Sequence, residues 1–86
     1  MSRKELQKIL TRQPFQPVRL VMSSGDSYRV DHPELAIPTA DGSIYVFDLV
    51  DVPDEGTGDT ERAAMLKVIL SLSHVNEAEF ITGSAA

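Results

Sequence analysis

The chain has 86 residues, 42% of them hydrophobic and 24% charged, with a net charge of −5 and no cysteine. A length of this order holds one domain with one modest core, so self-association helps stability. The composition is that of a soluble globular chain, no apolar run approaches the roughly 20 residues that span a bilayer, and disulfide or thiolate chemistry is excluded. Charged and polar side chains recur through the first twelve positions, which therefore do not read as a secretory leader, and the expected compartment is the cytoplasm.

The charge is unevenly distributed. Residues 1–30 carry six basic groups (Arg3, Lys4, Lys8, Arg12, Arg19, Arg29) and two acidic ones, whereas residues 31–86 carry eleven acidic groups and only Arg62 and Lys67 as basic ones. Such polarity can steer the basic end of one copy onto the acidic end of another.

In chain order, Ser2 and Glu5 have the spacing of a capping box and open a helix expected over residues 3–12. Leu6, Ile9 and Leu10 form its narrow apolar stripe. Pro14 and Pro17 end it, with Phe15 held between them as a plug against the body. From Val18 the period becomes two: Val18, Leu20 and Met22 share one face, the turn SSGDS follows, and Tyr28, Val30 and His32 alternate until Pro33.

Asp41-Gly42 suggests a second hairpin with a type I′ turn, its later arm running from Ile44 to Leu49. The stretch DVPDEGTGDTE reads as a flexible acidic loop over residues 50–61. The segment ERAAMLKVILSL fits either period, with a strand from Ala64 to Leu72 preferred to a helix over 60–70. The corner SHV leads into a last strand, NEAEFI, and residues 83–86 read as a disordered tail after a single domain spanning 1–82.

Chemical signatures are sparse. Asp31, His32 and Glu34 would need His74 beside them to form a metal or acid/base cluster, and no spacing of a known metal site is present. The serines lack a nucleophile elbow, the acidic stretch lacks the spacing of a calcium loop, and the glycines match no phosphate-binding loop. The sequence therefore leads to no enzyme, no metal and no cofactor. Arg3, Lys4, Lys8 and Arg12 recur along the first helix as a basic stripe of the kind phosphate binding needs.

The order helix, four strands, tight SHV corner and last strand resembles the Sm-like small β-barrel. In bacterial Sm-like RNA chaperones a Lys-His-hydrophobic corner precedes the last strand, and Ser73-His74-Val75 stands there in this chain, with Ser73 in the lysine's place. The resemblance implies a bent five-stranded sheet, pairing of the fourth and fifth strands between subunits, and RNA contact at His74. The chain is also similar to a group of short bacterial proteins with the pattern Pro14-Phe15, Pro17-Val18-Arg19-Leu20, Gly25, Tyr28, Val30, His32-Pro33 and His74-Val75. That group implies no activity or ligand.

The expected fold is mainly β, a small five-stranded Sm-like or SH3-like barrel with an N-terminal α-helix, with a small α+β sheet domain as the alternative. The expected function is a non-enzymatic interaction or assembly module that forms a homo-oligomer through barrel edge strands or holds a protein partner, without membrane insertion. The alternative is an Sm-like RNA-binding protein using Arg3, Lys4, Lys8, Arg12 and His74.

Overall fold

A computed structural model describes residues 1–81, so the expected tail at 83–86 lies outside the described residues. The protein is mainly β: helix α1 (Arg3–Leu10) precedes strands β1 (Val18–Met22), β2 (Ser27–Val30), β3 (Ala36–Pro38), β4 (Ser43–Pro53), β5 (Thr60–Ser71) and β6 (Val75–Phe80). The strands form two three-stranded antiparallel sheets, ordered β2-β1-β6 and β3-β4-β5, and neither sheet closes on itself. Residues 60–70 are strand, which removes the α+β alternative built on a helix there.

Helix α1 starts as its sequence dictates. The Glu5 N–H donates to the Ser2 hydroxyl (3.1 Å) and the Ser2 N–H donates back to the Glu5 carboxylate (3.4 Å), completing the capping box. The helix ends two residues sooner than expected: Thr11 caps it, its N–H donating to the Gln7 carbonyl (2.9 Å), and Arg12 lies beyond the cap. Leu6 and Leu10 are buried from this helix, and Phe15 packs against the same core from a half-buried position. The Gln13–Pro14 peptide bond is cis.

β1 alternates as expected, with Val18, Leu20 and Met22 buried. It is the central strand of its sheet, where Leu20 faces Tyr28 on β2 and Ala78 on β6. β2 stops at Val30, short of His32, because Pro33 has no N–H for the ladder. A single 3-10 turn over Pro33–Leu35 follows, with the Leu35 N–H donating to the His32 carbonyl (3.1 Å), and its exit leads into β3.

The Asp41-Gly42 turn is not type I′. Gly42 has a φ of 85° while no non-glycine residue among those described has a positive φ. The Gly42 N–H donates to the Thr39 carbonyl (3.2 Å) and the Thr39 N–H to the Ser43 carbonyl (2.9 Å), so a β-turn is followed by one left-handed glycine. The longer loop spares Asp41 the left-handed backbone that type I′ requires. Residues Met22–Asp26 repeat the device, with Gly25 at φ 97°.

The largest departure concerns the acidic loop. β4 and β5 stay paired from Ser43↔Ser71 out to Pro53↔Thr60, leaving only residues 54–59 as loop where 50–61 was expected. A β-bulge between Val46 and Phe47 interrupts the ladder, and Lys67 is the residue left unmatched on β5. Before the bulge, Ile44, Val46 and Leu70 are buried; beyond it neither strand has a buried residue. β3 pairs with β4 only at Ile44–Val46, so the outer part of the hairpin is a two-stranded arm. The radius of gyration, 14.5 Å, exceeds the roughly 12 Å of a compact chain of this length, as a projecting arm requires.

Two backbone bonds tie the β5–β6 corner, a 3-10 turn over Leu72–His74, to hairpin turns of both sheets: Ser23 N–H to the His74 carbonyl and Leu72 N–H to the Gly42 carbonyl, each 2.8 Å. The core lies between the sheets, with Leu6, Val18, Leu20, Val30, Ile44 and Val46 its largest fully buried side chains. Each contributes about 1.5–3 kcal/mol on burial. Leu20→Ala is expected to destabilise the fold by about 2–5 kcal/mol in urea unfolding. Leu66→Ala on the arm should stay within roughly 0.5 kcal/mol under monomeric conditions.

Candidate interaction surface

The two histidines do not meet. His32 borders a shallow cleft with Asp31, Asp48 and Arg62, whereas His74 borders another with Met22, Asp26, Tyr28 and Ser71. No group of three or more His, Cys, Asp or Glu residues arranged for a metal occurs among the described residues. The cluster of Asp31, His32 and Glu34 with His74 is therefore not assembled. His74 works through its backbone, as the acceptor that holds the β1–β2 turn, and the neighbouring Ser71 and Ser73 hydroxyls bond each other (2.9 Å).

The four basic residues of the first helix segment are all exposed. Arg3 donates to the Thr39 carbonyl (3.3 Å), Arg12 lies 4.8 Å over the Phe80 ring, and Lys4 and Lys8 are exposed one turn apart. None of the four borders the cleft of His74.

What the structure does bring together is apolar surface on strand edges. The large hydrophobic side chains left exposed are Ile37 on β3, Met65, Leu66 and Ile69 on β5, and Phe80 on β6. Met65 and Ile69 are 55% and 51% accessible, too open for residues of a finished core. Among the described residues β5 pairs only with β4 and β6 only with β1, so each has a second edge of backbone N–H and C=O groups without a strand beside it. An exposed edge with apolar side chains is a template for another strand. Scattered exposed hydrophobics need no explanation, but four concentrated on two free edges do.

Sequence inspection missed the arm because proline, glycine and acid together read as loop. The signal was present in Leu49, Val50 and Val52 opposite Ala64, Ala63 and Glu61, with Asp51 facing Arg62 across the ladder. That pair has its charged atoms 3.9 Å apart, and both side chains are mostly exposed, so it adds little to stability.

One carboxylate is perturbed. Asp41 is held below its ordinary value of 3.8, first by the Thr39 hydroxyl and then by the Ser43 N–H, which donates to it at 3.1 Å. No helix among the described residues is long and apolar enough to cross a membrane. The chain matches no family model, no curated protein and no solved structure in the three comparisons made.

The Asp41 turn gives a pH prediction. A carboxyl whose folded pKa is depressed stabilises the fold above its unfolded value and loses that contribution as pH falls through the folded one. Asp41→Asn should lower the melting temperature at pH 7, and the gap from the parent chain should close as pH is taken below 3.8.

Proposed function

We propose that this chain is a non-enzymatic assembly module that self-associates through its edge strands, β5 of one copy pairing antiparallel with β6 of the next. The observation that carries this reading is the concentration of Met65, Leu66, Ile69 and Phe80 on those two edges. Backbone pairing supplies the hydrogen bonds and the four side chains supply the apolar contact. Because the two edges differ, the contact is heterologous and propagates from copy to copy, closing into a ring where the rotation allows.

The same reading treats the two sheets as one bent Sm-like or SH3-like barrel. β2 and β3 count as a single strand interrupted by the turn at Pro33–Leu35, which brings six strands to five. β5 then turns through Leu72–His74 into β6, which lies beside β1, and α1 precedes them all. This order supports the likeness to ring-forming barrels.

Native mass measured by light scattering at two protein concentrations tests the proposal. The parent chain is expected to form a discrete oligomer, and the double variant Leu66→Lys, Ile69→Lys to run as a monomer with an unchanged circular dichroism spectrum. A parent chain that remains monomeric throughout rejects the reading.

A further inference from the structure

We infer that Lys67 and Glu79 choose the partner edge and set its register: Lys67 on β5 of one copy stands opposite Glu79 on β6 of the next. This rests on the assembly proposed above and names the residues that give it direction.

The faces of the two strands follow from their pairings, because residues directly opposite each other lie on the same face of a sheet. On β6, Ala78 and Phe80 stand opposite the buried Leu20 and Val18 and face the core side, whereas Glu77 and Glu79 stand opposite Val21 and Arg19 on the other side. On β5, Val68 and Leu70 stand opposite the buried Val46 and Ile44 and face the core side, with Ile69 on the other. Lys67 is the extra residue of the bulge, so Lys67 and Leu66 together take the place opposite Phe47, and Met65, opposite Asp48, returns to the core side.

A joined sheet that keeps both cores on one side admits only registers in which Ala78 and Phe80 meet core-side residues of β5. With Ala78 opposite Val68, Glu79 falls opposite the Lys67–Leu66 pair and Phe80 falls opposite Met65. Two matches then coincide: a cation faces a carboxylate, and Met65 and Phe80, 55% and 39% accessible in the single copy, cover each other. A slip of two residues one way sets Ile81 against Lys67, and the same slip the other way leaves Phe80 against Ala63. Neither keeps both matches.

The same charges reject like edges. Lys67 is the one charged residue of β5 between Ala63 and Ser71, and Glu77 and Glu79 are the charged residues of β6. A two-fold β5–β5 contact centred on Lys67 sets its ammonium against that of the second copy, and a two-fold β6–β6 contact centred on Ala78 sets Glu77 against Glu79. Like charges directly opposite destabilise a strand pair. Within one copy Lys67 has Asp48 at 3.8 Å and Glu79 has Arg19 at 3.9 Å, all four side chains roughly half exposed. Such pairs contribute little alone. The contact joins them into an alternating row of Arg19, Glu79, Lys67 and Asp48, which favours the unlike edges over the like ones.

Because the chain has no cysteine, single-cysteine variants report which strands meet. Lys67→Cys and Glu79→Cys, both at exposed positions, are mixed in equal amounts under mild oxidation. A disulfide-linked pair is expected in the mixture, with at least about tenfold less in either variant alone. In light scattering at low salt, Lys67→Glu and Glu79→Lys should each weaken association at least about tenfold, and the chain carrying both exchanges should regain it. If either cysteine variant alone cross-links as readily as the mixture, like edges pair and the assignment is overturned. If the parent chain assembles but the mixture does not cross-link, or the double exchange fails to restore association, Lys67 and Glu79 do not set the register, while edge pairing stands. If the parent chain never assembles, edge pairing fails and this assignment with it.

Discussion

The β4–β5 ladder is the constraint on which the rest of the molecule depends, because one hairpin serves two environments. Its inner part brings Ile44, Val46 and Leu70 against β1, α1 and the β5–β6 corner to make the core. Its outer part has apolar residues on both faces, and among the described residues no third strand covers them, Leu35 of the 3-10 turn alone sharing a cleft with Leu49 and Val50. A two-stranded ribbon is marginal by itself in water. The bulge at Val46/Phe47 marks the change from one environment to the other, and the extra twist that a bulge adds carries the arm away from the core.

A small core makes this division necessary. With α1 closing one end and short strands β2 and β3 at the sheet edges, the apolar residues available cannot cover a twelve-residue strand along its whole length. The surplus stays on the edges. Among the described residues the basic side chains outside an ion pair gather on the first helix segment, whereas the acidic ones are spread from Glu5 to Glu77, with Asp54, Glu55, Asp59 and Glu61 close together at the end of the arm. Exposed ion pairs contribute little to the stability of one molecule, but a concentration of unmatched charge has a large effect on which partner approaches and in what orientation.

Much of the fold was legible locally. The Ser2–Glu5 capping box, the alternation of Val18, Leu20 and Met22, and the preference for strand from Ala64 to Leu72 all follow from interactions within a few residues. The errors arose where a distant partner decides. Tyr28, Val30 and His32 alternate correctly for a strand, but Pro33 redirects the chain two residues earlier than the pattern shows. Val50 and Val52 are strand residues because Ala63 and Glu61 face them from the other side of a loop rich in glycine and acid. The candidate surface was less legible still. Met65, Leu66 and Ile69 look like core in sequence, and only the sheet order shows that β5 has no neighbour on its outer side. The basic residues and His74 were conspicuous as residue types, and only the fold shows that none of the four basic residues borders the cleft of His74.

The corner at Leu72–His74 has a consequence for how the chain reaches this structure. The arm and the β1–β2 hairpin are local, closing loops of a few residues, and can form within microseconds. The bond from Ser23 to His74, by contrast, joins positions about fifty residues apart, and its loop entropy must be met before either sheet gains a core. Until that corner docks, the nascent chain consists of separate hairpins with their apolar faces in water. Loop closure over that distance makes the meeting of the two sheets the expected slow step in folding, and association of unfolded copies through the same strand edges would compete with it.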